Sequence, residues 1–396
     1  MPVGPWKNRL YRLALPFLGL QINSCESSGP SLAEDQLHLL NSIFRRHHVI
    51  GGCLQLIREG GLGPLVTYGY ARLPDTYVAP DIVFRAASIT KMVTAVGAML
   101  LVEKGLLDLD APVERYFPYP IRNPRFPDQP VLVRHLFTHT SGIWDGPGYD
   151  KALRSPLPLK ALLDDPMNYL STAPGEAFRY SNLAAGMIGS LMEIIADKSL
   201  EALMQESVFT PLDMQASYTL KHFNHAGNIA CIYRVLSKRR SAKPLFDPSA
   251  RLHAADALLQ PAPEYHYLPA AGNLFTDAPS LGKLACELIK DGGGILSKNS
   301  IQNMQTPAAA YGKHGPHALH CIGLVAVEDP ALHTGRLYGH QGFAYGAAEG
   351  VFYQPSTGNG FVFLNSGASE ARYGHLACVN RDLIVWALGK DGYLKK

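Results

Sequence analysis

A serine and a lysine stand three positions apart in the segment FRAASITKMVTAVGAMLLVEKG, at Ser88 and Lys91. The apolar pattern predicts a helix that begins at or just before Ser88 and ends near Gly105, a residue suited to helix termination. Side chains at i and i+3 share a helix face, so the two should meet. A serine hydroxyl needs a neighbouring base to act as a nucleophile, and burial turns a lysine amine into one by lowering its pKa. The pair predicts acyl chemistry, although a serine helix cap beside an exposed lysine gives the same pattern.

A second motif, Tyr180-Ser181-Asn182, follows the turn PGEAFRYSN. The tyrosine can relay a proton between serine, lysine and leaving group, either as a phenol or as a phenolate beside a cation. Asn182 carries both a donor and an acceptor, so it can orient Lys91 and hold a substrate carbonyl or amide. An ordinary turn before a helix is the alternative interpretation.

A third motif, Gly339-His340-Gln341-Gly342, lies in a strand-like run near the C-terminus. A glycine in such a strand lets a substrate backbone approach closely. The backbone N–H of Phe343 can then form an oxyanion hole with that of Ser88. His340 can donate to the substrate or join the proton relay; if it must be neutral, activity should fall below roughly pH 6.5. The alternative is a glycine-rich edge strand with an incidental histidine.

Other catalytic motifs find no support in the sequence. It contains no Gly-x-Ser-x-Gly, no His-Glu-x-x-His and no phosphate loop ending in Gly-Lys-Ser/Thr. His135 and His139 are four positions apart without a nearby carboxylate, which predicts structural roles. His314, His317 and His320 lie in a Gly/Pro-containing stretch and are predicted to be surface residues. No metal site and no cofactor is predicted.

Composition limits the classes of protein. The chain has 396 residues, of which 47% are hydrophobic and 17% charged, so it can bury a large core and disorder is excluded as its main state. The net charge of +3 gives no broad electrostatic reason to bind nucleic acid or an anionic membrane. No apolar run reaches the ~18 residues of a membrane span. The 6 cysteines lack Cys-x-x-Cys spacing; scattered buried thiols are expected, with one or two long-range bridges as the alternative.

Residues 1–30 are predicted to be a leader or export segment. Three basic residues precede the apolar stretch LALPFLGLQI, which ends just before Cys25. This arrangement is typical of an export signal or of a lipoprotein-type cleavage site, whereas Pro16 and Asn23 argue against both. An export signal would place the protein in the cell envelope, the periplasm or the medium; a poorly ordered leader outside the fold would leave it in the cytoplasm.

The element pattern predicts an α+β fold. The folded part begins with a helix that opens at Ser31, followed by two strands, VIGGCLQLI and PLVTYGYA. Near the end of the chain, four further segments read as strands: CIGLVAVE, RLYGHQG, EGVFYQP and GFVFLNS. A closing helix, EARYGHLACVNRDLIVWALGK, follows them. The middle is mostly helical. We therefore predict a single two-lobed domain over 31–396: an antiparallel sheet flanked by the terminal helices (31–87 and 300–396) and an inserted helical lobe (88–299). Segment 221–268 shows no clear pattern, and its basic cluster 238–240 is expected in a solvated loop.

The order and separation of Ser88-x-x-Lys91, Tyr180-x-Asn182 and His340-x-Gly342 resemble the three signature motifs of the penicillin-recognising serine hydrolases. The resemblance is closer to the branch of class C β-lactamases, D-alanyl-D-alanine carboxypeptidases, D-aminopeptidases and esterases. It covers roughly residues 35 to 390 and includes the segments VRHLFTHTSGI, PGEAFRYSN, VFTPLDM and LPAAGNLFTDAPSLGKLA. It implies a β-lactamase/transpeptidase-like fold with the site between its sheet and its helical lobe.

The resemblance also implies roles for the residues. Ser88 would be acylated, Lys91 and Tyr180 would share proton transfer, Asn182 would position the substrate, and His340-Gln341-Gly342 would form the edge strand beside it. Together with the oxyanion hole inferred above, the predicted catalytic residues are Ser88, Lys91, Tyr180 and His340, and the predicted substrate-binding residues are Asn182, Gln341, Gly342 and Phe343.

Two departures shape the expected activity. His340 stands where class C β-lactamases have lysine, and Gln341 replaces a hydroxyl residue that helps relatives to bind a substrate carboxylate. We therefore expect a peptidase or esterase acting on small-molecule or peptide substrates of the D-amino-acid or small acyl type, peptidoglycan-related or β-lactam compounds among them. A class C-like β-lactamase is one alternative, and a catalytically silent penicillin-binding-like protein is another. The oligomeric state is not indicated.

Overall fold

The computed structural model describes residues 22–25, 32–223, 226–236, 241–247, 259–290, 292–310 and 317–395. The basic cluster 238–240, His314 and most of the predicted leader lie outside these residues, as do parts of segment 221–268.

The described strands and helices are grouped along the chain, with runs of strands near both ends and a run of helices between them. The strands are β1 (Ile22–Cys25), β2 (Gly51–Arg58), β3 (Gly61–Arg72), β4 (Thr76–Tyr77), β5 (Phe84–Arg85), β6 (Ala216–Ser217), β7 (Ile232–Leu236), β8 (Ser241–Phe246), β9 (Phe275–Thr276), β10 (Ala309–Ala310), β11 (His317–His320), β12 (Val325–Glu328), β13 (Leu337–Ala344), β14 (Ala347–Gln354), β15 (Asn359–Gly367), β16 (Arg372–Tyr373) and β17 (Leu376–Ala377). The helices are α1 (Glu34–Arg46), α2 (Ile89–Glu103), α3 (Val133–Phe137), α4 (Pro147–Ala152), α5 (Leu159–Leu163), α6 (Asn182–Ala196), α7 (Leu200–Met204), α8 (Tyr267–Gly272), α9 (Ala278–Ile289), α10 (Lys298–Gln305) and α11 (Cys378–Leu388).

One large antiparallel sheet joins the two ends of the chain. Its spatial order is β1-β3-β2-β15-β14-β13-β12-β11-β10, with β4 paired to β3. Every residue of β14 and β15 is buried, because helices cover both faces of the sheet. On one face α1 and α11 pack in a cluster where the Phe44 and Phe363 rings stack at 5.3 Å. On the other face lie α9 and the start of α2. This matches the predicted sheet with terminal helices.

The inserted lobe is built around α2 and α6, which pack against each other and against α8. Nearly all residues of both helices are buried, so they are apolar on all sides rather than amphipathic. A small sheet, β5-β9-β6, ties the entry of α2 to this lobe. Ser88 immediately precedes α2 and Asn182 begins α6, so the packing of these two helices brings the first two motifs together.

One segment differs from the sequence-based expectation, and two further segments contain strands that the sequence pattern does not predict. The closing helix begins only at Cys378, because β16 and β17 form a hairpin about Gly374, whose φ is +57°. Within the pattern-poor segment 221–268, β7 and β8 pair as antiparallel strands. Residues 22–25, inside the predicted leader, pair with β3 at the edge of the sheet.

Two further expectations concern membranes and thiols. No helix in the described part of the chain has the length and apolar composition required to cross a membrane. None of the five cysteines whose side chains are described forms a disulfide, and four of these thiols are buried. This agrees with the expected scattered thiols.

Candidate active site

Ser88 lies at a tight entry into α2. The preceding residue, Ala87, has a φ of +42°, a left-handed conformation that costs a non-glycine residue roughly 1–2 kcal/mol. Thr90 holds this turn: its hydroxyl donates to the Ala87 carbonyl at 2.5 Å and accepts from the N–H of Leu274 at 3.1 Å. Strained backbone of this kind concentrates at functional sites because the surrounding structure must enforce it. The turn presents the Ser88 hydroxyl to the cleft, where it lines two cavities.

The amine of Lys91 lies one helical turn further on, as the i, i+3 spacing predicts. Its Nζ is 3.2 Å from Ser88 Oγ, 2.8 Å from Asn182 Oδ1 and 2.5 Å from the Ala271 carbonyl oxygen. The two carbonyl oxygens can only accept, so the amine must donate to both. A neutral amine then has one lone pair left, and the Ser88 hydroxyl is placed to donate to it. The geometry therefore fits a base at Lys91 poised to take the Ser88 proton.

Burial allows the Lys91 amine to be neutral near pH 7. The residue is only 5% exposed, and this desolvation lowers the pKa of the amine to about 7. The charge of Arg85 lowers it further, whereas the carboxylate of Asp145 acts in the opposite direction.

Tyr180 completes the group around the nucleophile. Its ring centre lies 5.1 Å from Lys91 Nζ. Burial raises the pKa of the phenol above its usual value of 10, and a hydrogen bond with Ser88 opposes that rise only in part. Of the two forms considered from the sequence, the neutral phenol is therefore the one present in the free protein. The neutral phenol of Tyr180 can relay a proton by giving up its own and receiving another, so that it does not have to remain charged.

Asp145 fixes the orientation of Asn182. Its carboxylate accepts from Asn182 Nδ2 at 2.7 Å, from the Leu183 N–H at 2.8 Å and from the Ser181 hydroxyl at 3.3 Å. Because the Asn182 amide nitrogen faces Asp145, its oxygen faces Lys91. The sequence alone does not reveal Asp145, since it lies 37 positions before Asn182 in a loop without a recognised pattern.

Asp145→Asn is expected to lower kcat by about 10- to 100-fold. The new amide nitrogen would face Asn182 Nδ2, so one of the two amides must flip and the Asn182 oxygen would leave Lys91. Loss of the carboxylate also lowers the pKa of Lys91 further, so the acid limb of the pH–rate profile should move to lower pH. Measuring kcat across pH checks both effects; a lower kcat with an unmoved limb would contradict this account.

The third motif lies on β13 at an open stretch of sheet edge. β12 pairs with β13 only from Leu337 to Gly339, so no described strand covers the other edge of His340–Ala344. Such an edge offers backbone N–H and C=O groups to a substrate. His340 is 4% exposed, and its Nδ1 lies 2.8 Å from the Gln341 carbonyl oxygen.

Gln341 is occupied by contacts within the protein. Its side-chain nitrogen donates to the His375 carbonyl, and its oxygen accepts from the Ala377 N–H at 3.0 Å and from Asn380 Nδ2 at 3.4 Å. The residue lines the cleft while its amide anchors the β16–β17 hairpin to β13. A substrate carboxylate would have to compete with these partners.

Gly342 allows β13 to approach the entry of α2. A Cβ at this position would lie 2.8 Å from the Ala86 carbonyl oxygen and 2.8 Å from Glu349 Oε2. The absence of a side chain at Gly342 thus allows two segments of the protein to pack closely. The sequence had instead suggested that the glycine lets a substrate backbone approach the strand. Glu349 is fully buried, which raises the pKa of its carboxyl well above the usual range. This buried carboxyl underlies the two backbone segments that carry Ser88 and Phe343.

Gly342→Ala is expected to reduce kcat by about 10- to 100-fold, because the added methyl group must push β13 away from the entry of α2 and displace the Phe343 N–H. Gly227→Ala is the matched control, since a Cβ at Gly227 meets no atom within 4 Å. Comparing kcat and thermal stability of the two variants checks this. Equal kcat in both would show that the close approach has no part in the activity.

The histidines near the site behave differently from the sequence-based expectation. Burial and the charge of Lys91 lower the pKa of His340 to about 4, so its protonation cannot explain a loss of activity below pH 6.5. His320, expected at the surface, is 2% exposed and its ring lies 6.0 Å from that of Tyr180. The expected structural roles do hold for His135 and His139, whose Nδ1 atoms accept from the backbone N–H groups of Leu132 and Ser181.

Two cavities meet at Ser88, Tyr180 and Phe343. The first, called here the Arg372 cavity, holds about 230 Å³ and includes His340. It is mainly apolar, with Val325, Val327, Phe343, Phe352 and Leu376 in its wall, and the Arg372 guanidinium lies 3.9 Å from the centre of the Phe343 ring.

The second, called here the Arg85 groove, consists of two adjoining parts of about 220 and 540 Å³ that share Arg85 and Tyr345. Asn182 lines the part next to Ser88, and Arg234 lines the far part. Because the two cavities meet at the nucleophile, each can take one substituent of a substrate carbonyl. No group of metal-binding side chains occurs among the described residues.

Comparison with known proteins agrees with the fold. The family model described as β-lactamase matches residues 42–382. The chain is 26% identical to esterase EstB of Burkholderia gladioli over 89% of this chain and 95% of that protein. It is 30% identical to the D-alanyl-D-alanine-carboxypeptidase/endopeptidase AmpH of Escherichia coli K12 over 42% of this chain, a match that spans 45% of that protein.

Among solved structures, a penicillin-binding protein homologue from Pyrococcus abyssi aligns with a TM-score of 0.68 and 25% identity, over 84% of this chain and 73% of that one. The resemblance, the β-lactamase/transpeptidase-like fold and the assignment as a β-lactamase-related hydrolase are thereby confirmed.

Proposed function

The chain belongs to the β-lactamase family, and we propose that it is a serine hydrolase that forms an acyl-enzyme on Ser88. The observation that carries this proposal is the 3.2 Å contact between Ser88 Oγ and a buried Lys91 amine whose other two contacts are carbonyl oxygens. A lysine in this setting is available as a base at neutral pH.

In the acylation step, Ser88 Oγ attacks the carbonyl carbon of an ester or amide while its proton passes to Lys91. The new C–O bond gives a tetrahedral intermediate, and the N–H groups of Ser88 and Phe343 hold its oxyanion. Tyr180, kept neutral by burial, gives its proton to the leaving group as the C–X bond breaks and regains one from Lys91. His340 lies beside the Arg372 cavity and assists this transfer as a neutral imidazole.

In the deacylation step, a water molecule attacks the acyl carbonyl and its proton passes through Tyr180 to Lys91. The bond to Ser88 Oγ breaks, and the hydroxyl is restored with a proton from the same pair. Asn182 holds Lys91 in place, as the 2.8 Å contact from the amine to its side-chain oxygen indicates.

The substrates that we propose are esters or amides with small acyl groups, including D-amino-acid derivatives. The names of EstB and AmpH, an esterase and a carboxypeptidase, support this range of substrates. The engaged Gln341 side chain supports a peptidase or esterase rather than a β-lactamase, because it is not available to a substrate carboxylate.

The test is covalent labelling of the purified protein with a fluorophosphonate and with a fluorescent penicillin, followed by mass spectrometry of the modified peptide. An adduct on Ser88, with turnover of p-nitrophenyl esters or D-amino-acid p-nitroanilides, is the expected result. Fast hydrolysis of nitrocefin with no ester or amide turnover would favour the β-lactamase. No adduct and no turnover of any substrate would identify a silent binding protein.

A further inference from the structure

His139 holds the chain on both sides of Tyr180. Its backbone carbonyl accepts from the Arg179 N–H at 2.8 Å, and its ring nitrogen Nδ1 accepts from the Ser181 N–H at 3.2 Å. Arg179 and Ser181 are the residues directly before and after the tyrosine. The backbone that carries the phenol is therefore tied at two points to one residue, which lies just after α3.

The His139 ring also packs against the ring of Tyr180. The two ring centres are 4.3 Å apart, and the ring planes differ by 33°. The His320 ring in turn meets the His139 ring nearly at a right angle, with the ring centres 5.0 Å apart. Because His139 is only 4% exposed, its ring is held between neighbours. This packing restricts the position of the phenol as well as that of its backbone.

The bond from Ser181 requires a neutral His139. Its Nδ1 must keep a lone pair in order to accept, so the ring carries its proton on Nε2. Burial lowers the pKa of His139 well below its usual value, and the charge of Lys91 acts in the same direction. The ring therefore keeps this bond throughout the neutral pH range.

The backbone at His139 would suit a different type of residue. The position lies just past the C-terminal end of α3 and has a φ of +56°, a conformation in which glycine is the usual residue. Strain of this kind persists where the surrounding structure enforces it. The histidine side chain makes two contacts that glycine cannot make, the bond to Ser181 and the packing against Tyr180.

The position of the phenol matters most when the leaving group needs a proton. In the acylation step proposed above, Tyr180 gives its proton to the leaving group as the C–X bond breaks. A p-nitrophenolate ion is stable in neutral water and can leave without a proton, whereas an alkoxide is strongly basic and must be protonated as it leaves. A misplaced phenol would therefore slow the loss of an alkoxide far more than the loss of p-nitrophenolate.

We propose, on the basis of the serine hydrolase function above, that His139 is a positioning residue that aims the Tyr180 phenol at the leaving group. It acts through Tyr180 and not on the substrate, since it is absent from the described lining of the cavities that meet at Ser88. The histidine thereby extends the range of substrates from esters of acidic phenols to esters of alcohols and to amides, whose leaving groups must be protonated.

The test compares the p-nitrophenyl, phenyl and benzyl esters of butyric acid, which form the same butyryl-enzyme with leaving groups of increasing basicity. The readout is kcat/KM, because it covers the steps up to acylation and excludes the deacylation step that the three esters share. His139→Gly removes the ring and its acceptor, while glycine suits the left-handed backbone. We expect kcat/KM to fall about tenfold or more for benzyl butyrate and less than about threefold for p-nitrophenyl butyrate.

His139→Asn is the conservative variant. Asparagine also tolerates the left-handed backbone, and its side-chain oxygen can accept from the Ser181 N–H in place of Nδ1. The ratio of kcat/KM for the benzyl ester to that for the p-nitrophenyl ester should therefore lie between the ratios of the native protein and His139→Gly.

His135→Ala is the matched control. It removes a bond of the same kind and length, from the Leu132 N–H to a histidine Nδ1 at 3.2 Å, about one helical turn before His139. It should leave the benzyl to p-nitrophenyl ratio unchanged even where it lowers thermal stability.

Tyr180→Phe tests whether His139 acts through the phenol. This variant should lower the benzyl to p-nitrophenyl ratio at least as far as His139→Gly does. Addition of His139→Gly to Tyr180→Phe should then leave the ratio unchanged, because no hydroxyl is left to position. A histidine that only supported the fold would instead lower kcat/KM of the three esters by the same factor.

The inference would be overturned by an equal loss of kcat/KM for the three esters in His139→Gly, or by a further fall of the ratio when this change is added to Tyr180→Phe. If His139→Gly lost its thermal unfolding transition, His139→Asn would decide, and a native ratio in that variant would also contradict the inference. If the native protein turned over none of the esters and formed no adduct on Ser88, the proposed function would fail and the inference with it. Native turnover with an equal loss for all esters in the variant would remove only the present inference.

Discussion

Ser88→Ala is expected to abolish covalent labelling and to reduce kcat for ester substrates by about 10³-fold or more. Removal of the hydroxyl eliminates the acyl-enzyme route and leaves only substrate positioning and the oxyanion donors. The fold should survive, because the Ser88 side chain is only half-buried at the cleft. Intact-mass analysis after exposure to a fluorophosphonate, together with steady-state ester kinetics, measures both effects.

Thr90→Val serves as a structural control for this experiment. It removes a buried hydroxyl two residues away that holds the turn at Ala87, so it should reduce stability and activity together while labelling remains on Ser88. Labelling of Ser88→Ala to the extent of the native chain would refute the nucleophile assignment. Unfolding of Ser88→Ala would be visible in its thermal transition, and Ser88→Cys, which retains a nucleophile, would then decide the question by its own labelling.

The spacing of the motifs was sufficient to predict the central contact of the site. The i, i+3 rule depends only on helix geometry, so the spacing alone predicts the contact between Ser88 and Lys91. The sheet was likewise predictable, because strands near both chain ends alternate with turn residues. Both predictions rest on local periodicity, which a single sequence records directly.

The residues that position and tune the site were not predictable in this way. Asp145 contacts Asn182 through a loop that has no periodic pattern, and His320 is buried because β11 pairs with β12 next to the cleft. The β16–β17 hairpin was read as helix, because its amide anchor Gln341 lies more than thirty residues earlier in the chain. These contacts are set by tertiary packing between distant segments, so their partners cannot be identified from sequence spacing.

Lys91→Met is expected to reduce kcat/KM by about 10²- to 10⁴-fold and to abolish the acid limb of the pH–rate profile. In the native protein the amine must be neutral to accept the Ser88 proton. Burial lowers its pKa to about 7, so kcat/KM should fall about tenfold per pH unit below that value. Methionine matches the length of the side chain but has no basic nitrogen, so its residual rate should not show this titration. Measuring kcat/KM of both proteins from pH 5 to 9 with a neutral ester provides the comparison.

His340→Gln distinguishes this interpretation from the histidine titration expected from the sequence. The pKa of His340 is about 4 in the folded protein, because its ring is buried and faces the charge of Lys91. The imidazole therefore stays neutral throughout pH 5 to 9. Its replacement should lower the rate but leave a limb near pH 7, while Lys91→Met removes that limb. The group that must lose its proton for activity is the one whose removal abolishes the acid limb of the pH–rate profile. If the acid limb persisted in Lys91→Met and disappeared in His340→Gln, that group would be His340 and not Lys91.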